Sequence, residues 1–194
     1  VGVSTATVSL VLTGKNKNGR VSKEMSEKIK NVAHEMNYQP NRLAMSLQSG
    51  RSQTIGLLVA DISNPFFGTL AFYIQDEMEK AGYAVIIMNT DESDVQMDRM
   101  ISLLKSRQVD GFIIVPTEFG ESSIVQLVNH HVPLVLIDRY YPSLQVDSVL
   151  IDNYQAAYEA TRYLIDIHCK KIALLIYDNR QPHMFERERG YANA

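Results

Sequence analysis

Ile55-Gly-Leu-Leu-Val-Ala60, followed by Asp61-Ile-Ser-Asn-Pro-Phe-Phe67, decides how the larger part of this chain folds. A short, nearly unbroken apolar run suits a strand buried on both faces. The polar break after it carries Asn64 and Pro65, a cap and a first-turn residue for a helix. The same grammar recurs downstream. Apolar runs fall at 55–60, 84–88, 111–115, 134–137, 149–151 and 172–176. Helical spacing fills the intervals at about 66–81 (Leu70, Ile74, Met78), 95–107 (Met97, Ile101, Leu104), 121–131 and 154–166 (Ala157, Ala160, Leu164). Strands alternating with helices predict an α/β fold whose parallel sheet is covered on both faces.

Ligands of such sheets bind beyond the carboxyl ends of the strands. That rule points at 61–67, 89–91, 116–117, 138–139 and 152–153. Asp61, Asn64, Asp138 and Arg139 are hydrogen-bonding groups suited to hydroxyls, while Phe66 and Phe67 offer flat faces to a sugar or base ring. Some of these have a competing use. Asn64 also suits the cap of a helix beginning at Pro65, and at least one Phe is expected in the core.

The first fifty residues differ in charge and in period. Residues 1–53 carry a net charge of +5 and residues 54–194 a net charge of −8, within a chain total of −3. Such asymmetry suggests a basic module for a polyanion joined to an acidic body. Ser4 can cap a helix running from Thr5 to Leu12, with Val3 and Val8 as a hydrophobic staple and Gly14 as its stop. Val8, Val11 and Leu12 form its apolar stripe, which leaves the small side chains of Thr5, Ala6 and Ser9 on the opposite face. A second helix follows Ser22, has Glu24 in its first turn, and buries Met25, Ile29, Val32, Ala33 and Met36. Lys23, Lys28 and Lys30 line its outer face. Asn41 to Ser49 forms a further short helix in which Leu43, Ala44 and Leu47 share one side. Two helices this short cannot enclose a core, so the pattern reads as a helix-turn-helix without its first helix.

Composition bounds the remaining classes. The 194 residues are 45% hydrophobic and include one Cys and no Trp, which excludes an internal disulfide framework and suits a reducing compartment. No stretch approaches a membrane span of about 20 apolar residues, and Val1-Gly2-Val3-Ser4 carries no leader pattern, so a cytoplasmic protein is expected. Asp91, Glu92, Asp94 and Asp98 lack the spacing of a calcium loop, and His130-His131 suits a helix C-terminus better than a metal. His168 and Cys169 are adjacent and do not form a nucleophile–base pair. With no phosphate-loop, dinucleotide, nucleophile-elbow or zinc-protease motif, the chain reads as a non-enzyme without metal or cofactor.

Four ordered pieces then carry a family resemblance. Val3-Ser4-Thr5-Ala6-Thr7-Val8-Ser9, Arg20-Val21-Ser22, Asn37-Tyr38-Gln39-Pro40-Asn41-Arg42-Leu43-Ala44 and Ser46-Leu47 resemble the DNA-binding headpiece and hinge of the lactose/galactose repressor (LacI/GalR) family. Gly56-Leu-Leu-Val, Asp61 to Phe67, Gly82-Tyr83, Val109-Asp110-Gly111, Val132-Pro133 to Arg139 and Asp152-Asn153 resemble that family's effector domain, a periplasmic-binding-protein-like fold. The resemblance implies a headpiece over 1–40, a hinge helix and linker over 41–53, a first lobe over 54–152 and the opening of a second over 153–194. It also implies that the headpiece's first helix and most of the second lobe belong to a longer protein.

It further implies roles. Thr5, Ala6 and Ser9 would lie near base edges in the major groove, and Ser4, Thr7, Arg20, Ser22, Tyr38 and Asn41 would hold phosphates. The hinge face carrying Ala44 would enter the minor groove, where Leu47 would wedge between base pairs; the competing use of Leu47 is packing on a dimer mate. Phe66, Phe67, Thr117, Asp138 and Arg187 would contact an effector, with Arg139 as neighbour. The partners implied are operator DNA, a small effector (a sugar first, a nucleobase corepressor second) and a second copy of the chain. A sugar-binding transport protein, from a different functional class, shares the second fold. Three positions depart from the family pattern. Leu10 stands where relatives often carry a hydrogen-bonding base reader, the loop from Gly14 to Arg20 is longer, and Ile167-His168 replaces Gly-His. The β-branched Ile167 is expected to reshape that turn.

Overall fold

The computed structural model describes residues 1–14, 16, 19–38, 50–179 and 181–194. The chain divides into two compact units, Val1–Ser52 and Gln53–Ala194.

The smaller unit is built from helix α1 (Thr5–Leu12) and helix α2 (Lys23–Glu35). Both start on a serine cap: Ser4 Oγ accepts the Thr7 N–H at 3.2 Å, and Ser22 Oγ accepts the Met25 N–H at 3.2 Å. Each cap satisfies one of the donors a helix start leaves without a partner, a contribution of about 1 kcal/mol. Val11 and Ile29 are the buried contacts of the two helices. The loop between them is clipped by Asn16, whose Nδ2 donates to the Val21 carbonyl at 2.9 Å while its Oδ1 accepts the Val21 N–H at 3.0 Å. Met36, expected inside, is 74% exposed. The helix has already ended there: Met36 is the C-cap and Asn37 turns left-handed at φ +50°, so the chain leaves the buried stripe one residue early.

The larger unit holds a five-stranded sheet of β1 (Thr54–Val59), β2 (Ala84–Asn89), β3 (Gly111–Ile114), β4 (Leu134–Ile137) and β5 (Ser148–Val149). The order is β2-β1-β3-β4-β5 and every pairing is parallel. Helices α3 (Pro65–Lys80), α4 (Asp94–Ser106) and α5 (Glu121–Asn129) follow the first three strands. Side chains alternate along β1. Leu57 and Val59 join Phe67 and Ala71 of α3 in one core, while Leu58 joins Met97, Ile101 and Leu104 of α4 and Ile124 of α5 in the other. Burying one such leucine fully contributes about 1.5–3 kcal/mol. Gly56 has no side chain for a packing reason: a Cβ there would stand 2.8 Å from Leu104 Cδ1.

Helix α6 (Asn153–Asp166) and helix α7 (Pro182–Asn193) pack together beyond the sheet. The sequence pattern did not announce α7, because its face is charged and its buried residues are His183, Met184 and Gly190 rather than an apolar stripe. The apolar run at 172–176 is not a strand. No described strand lies beside it to complete a ladder, and Leu175 is 96% exposed. The edge strand β5 is likewise shorter and earlier than the expected 149–151. The turn after α6 is not reshaped around Ile167, which keeps an ordinary φ of −83°. The left-handed residue is His168 at φ +67°, with its N–H on the Ile165 carbonyl at 2.8 Å and the Cys169 N–H on the Leu164 carbonyl at 3.0 Å.

Gly190 sets how closely α6 and α7 approach, since a Cβ there would stand 2.3 Å from the Tyr154 carbonyl oxygen and 2.9 Å from the Tyr158 nitrogen. Backbone atoms cannot yield as a side-chain tip can. Gly190→Ala is therefore expected to destabilise the larger unit by about 1–3 kcal/mol, read as a lowered urea midpoint; an unchanged midpoint would contradict this packing.

Candidate functional site

In the smaller unit, Ser4, Thr5, Ala6 and Ser9 are exposed along α1, and Thr7 is half-buried. Ser4 does more than cap. Its Oγ lies 2.9 Å from Thr7 Oγ1, which orients both hydroxyls at the helix start. Arg20, Ser22 and Tyr38 are exposed, as are Lys23, Lys28 and Lys30 on α2. A short helix with small exposed side chains, beside lysines free of carboxylate partners among the described residues, can lie close to a polyanion. Asn41, Ala44 and Leu47 lie outside the described residues.

In the larger unit the strand ends converge on a cavity of about 530 Å³. Seven of the eight expected effector residues line it: Asp61, Asn64, Phe66, Phe67, Asp138, Arg139 and Arg187. Asn64 caps α3, its Oδ1 accepting the Phe66 N–H at 3.0 Å, and the residue also lies on the cavity wall. The two phenylalanines part company. Phe66 is 43% exposed at the rim and Phe67 is 5% exposed in the core, their rings meeting edge to face at 5.0 Å. Asp61 is engaged locally, its Oδ1 accepting from Ser63 Oγ at 2.7 Å and the Ser63 N–H at 2.9 Å. Those bonds, the hydroxyl's first, hold its carboxyl below the usual range.

Thr117 is the exception. Its hydroxyl points inward to Met97 Sδ at 3.7 Å, and its carbonyl accepts the Tyr141 hydroxyl at 2.6 Å. Gly120 leaves room for this packing, because a Cβ there would stand 2.5 Å from Thr117 Oγ1. The side chain faces the core and a neighbouring cavity of about 400 Å³ instead.

Asp138 and Arg139 form the electrostatic centre. Asp138 follows β4 in a left-handed conformation at φ +65°. Burial raises its carboxyl above the usual range, against the pull of Arg139 and Arg187. Arg139 is held by Glu92 through two guanidinium bonds of 2.6 and 2.7 Å, with its Nε 3.5 Å from Asp138 Oδ2. Glu92 reaches it from a turn in which Asp91 and Glu92 are both left-handed, at φ +51° and +56°. From α7, Arg187 Nε donates to Asn153 Oδ1 at 2.7 Å. Sequence reasoning missed Glu92, Gln181 and His183 on this wall; the Gln181-Pro182 pair, a cap position before a first-turn proline, was the available signal for the last two. Among the described residues no cluster of His, Cys, Asp and Glu could hold a metal ion, and no helix is long and apolar enough to cross a membrane.

Comparisons with known proteins match both units. The model for periplasmic binding proteins and the sugar binding domain of the LacI family covers residues 52–194, and that for bacterial regulatory proteins of the lacI family covers residues 1–41. The chain is 33% identical to the HTH-type transcriptional regulator DegA of Bacillus subtilis, over 100% of this chain and 57% of that protein. It is 40% identical to a ribose operon repressor of Halalkalibacterium halodurans, over 88% of this chain and 50% of that protein. The chain thus spans about half the length of these relatives. Among solved structures, a putative ribose operon repressor from Burkholderia thailandensis superposes with a TM-score of 0.70 at 29% identity, over 74% of this chain and 55% of that one. The Lac repressor bound to ONPG superposes over 99% of this chain and 58% of that one, with a TM-score of 0.81; at 23% identity it bears on the fold alone.

The buried imidazole of His183 governs how the larger unit answers to acid. Burial first, and then Arg139 and Arg187, push its pKa from 6.5 down to about 4. A base depressed in the folded state contributes stability that is full above its unfolded value and is lost as pH falls through the folded one. The expected loss between about pH 6.5 and 4 is up to about 3 kcal/mol, partly offset by Asp138, whose raised carboxyl acts in the opposite direction. Urea midpoints measured across that window should fall less steeply in His183→Asn than in the parent; identical slopes would contradict the burial of a neutral imidazole.

Proposed function

Because the chain belongs to the LacI family of bacterial regulatory proteins, we propose that it is the reading head and first sensing wall of a ligand-responsive transcriptional repressor. The observation that carries this reading is α1, a capped helix whose exposed face offers Thr5, Ala6 and Ser9 in the net-positive segment of residues 1–53. Such a face fits the major groove, where short hydroxyls meet base edges and the threonine methyl meets thymine. Ser4, Thr7, Arg20, Ser22 and Tyr38 surround it with donors for phosphates, which set register rather than sequence. Asn41 adds a further phosphate contact, and Ala44 and Leu47 extend the footprint into the minor groove, with Leu47 as the unstacking wedge. The operator-bound form is a homodimer on a pseudo-palindromic site, located in the cytoplasm.

The cleft supplies the control. Acids, amides, two arginines and an exposed phenyl ring around about 530 Å³ suit a small polar metabolite, and ribose operon repressors among the relatives favour a sugar. An effector that binds one arrangement of the protein more tightly changes DNA affinity by the same factor by which DNA changes effector affinity. The relatives are named as transcriptional regulators and repressors, which supports a non-catalytic role.

Gel-shift titration of the intact protein, on duplexes selected from a randomised pool, tests the reading. Affinity should fall steeply with salt. Arg20→Ala should weaken all duplexes alike and reduce the salt slope by about one, whereas Ser9→Ala and Leu47→Ala should weaken the selected duplex more than a random one, by about 1–3 kcal/mol for Ser9. Failure to select any duplex, or binding insensitive to salt, would remove the repressor reading.

A further inference from the structure

The loop between α1 and α2 departs in length from the family pattern, and it carries a side chain that the DNA-contact roles leave unused. Asn16 is half-buried and grips Val21 from both sides: its Nδ2 donates to the Val21 carbonyl at 2.9 Å and its Oδ1 accepts the Val21 N–H at 3.0 Å. The same Nδ2 reaches Ser26 Oγ on α2 at 3.3 Å. We infer that Asn16 is a positioning residue, acting through Val21 to hold Arg20 and Ser22 in place for the backbone phosphates of a DNA duplex. The inference rests on the DNA-reading role proposed for the smaller unit. It goes beyond that role by naming a residue that works without a DNA contact of its own.

The clip has the geometry of a short strand pairing. A primary amide carries a donor and an acceptor side by side, so an asparagine can close on the N–H and C=O of one residue as a neighbouring strand would. Both backbone groups of Val21 are thereby paired, although Val21 belongs to neither helix. Gly19 turns left-handed shortly before it, at φ +64°, and its N–H lies 3.3 Å from the Asn16 carbonyl. The stretch from Asn16 to Val21 therefore closes on itself. Without the amide, a loop of this length would have far more conformations open to it.

The residues fixed by the clip are the two that flank Val21. Arg20 and Ser22 are both exposed, and among the described residues Arg20 has no carboxylate partner. Ser22 Oγ accepts the Met25 N–H at 3.2 Å, which leaves its hydroxyl proton available to another acceptor. Phosphate oxygens only accept, and a guanidinium and a hydroxyl both answer them. An arginine on an unrestrained loop must be ordered as it meets the phosphate, and that ordering weakens binding; a loop held beforehand avoids the loss. Because phosphates carry no sequence, Asn16 strengthens binding to every duplex alike, and only through its neighbours.

A double-mutant cycle on the intact protein tests the role, with gel-shift titrations on the selected duplex and on a random one. Asn16→Ala should weaken both duplexes by about three- to tenfold. In the Arg20→Ala background the same change should cost about twofold or less, the remainder that passes through Ser22. In the background of Lys28→Ala, an exposed lysine of α2, it should keep its full factor. Ser26→Ala, which spares both bonds to Val21, should bind within about twofold of the parent. Hydrogen exchange should show the Val21 amide opening at least about tenfold faster in Asn16→Ala, with the amides of α1 and α2 unchanged. An equal factor in the parent and Arg20→Ala backgrounds, or a loss confined to the selected duplex, would overturn the positioning role. If α1 and α2 open together with Val21, Asn16 serves the fold alone and the role is overturned as well. In each of these cases a protein that still selects a duplex keeps its DNA-reading role. If no duplex is selected at all, that role fails and the inference falls with it.

Discussion

Strand β1 is closed off on both faces, with Leu57, Leu58, Val59 and Ala60 fully buried between α3 on one side and α4 and α5 on the other. A parallel sheet cannot be left half-covered, because its crossover helices occupy both sides. Polar side chains are therefore confined to the strand ends and the loops beyond them. Asp61 after β1, Asp91 and Glu92 after β2, Thr117 after β3 and Asp138 with Arg139 after β4 follow from that single constraint. The parallel register brings all four loops to the same end of the sheet.

At that end, electrostatics is organised around one arginine. Arg139 is 11% exposed along its side chain, and a buried guanidinium needs a geometrically good partner. Glu92 supplies a two-bond pairing, and two successive left-handed residues position it. Asp138 adjoins the pair without a hydrogen bond to Nε. Its carboxyl is destabilised by burial while Arg139 and then Arg187 draw it the other way. The result is a wall whose buried guanidinium is paired through both terminal nitrogens, with Arg187 as a second cation beside it.

The headpiece solves a different problem with fewer resources. Two helices of 8 and 13 residues have little to bury, and their ends matter accordingly. Serine caps start both, and the Asn16 side chain clips the loop between them on both sides of Val21. These local bonds fix both helix starts and the loop between them, and they leave Thr5, Ala6 and Ser9 exposed.

Local chemistry was readable from the residues alone. Apolar period placed β1 to β4 and α3 to α6 to within about a residue or two, caps placed α1 and α2, and the motifs around Ser4, Asn64 and Asp138 pointed to the right ends of the elements. Each of these depends on neighbours close in the chain. The remainder was decided by contacts between distant segments. Residues 172–176 have strand composition and no strand beside them. Thr117 was drawn inward by Met97, twenty positions earlier. Glu92 joined the cleft through Arg139, 47 positions later. Gln181 and His183 joined the wall because folding buried them there, each with a polar atom left without a partner among the described residues. Whether a polar atom finds a partner is a property of the space around it, and only the assembled chain defines that space.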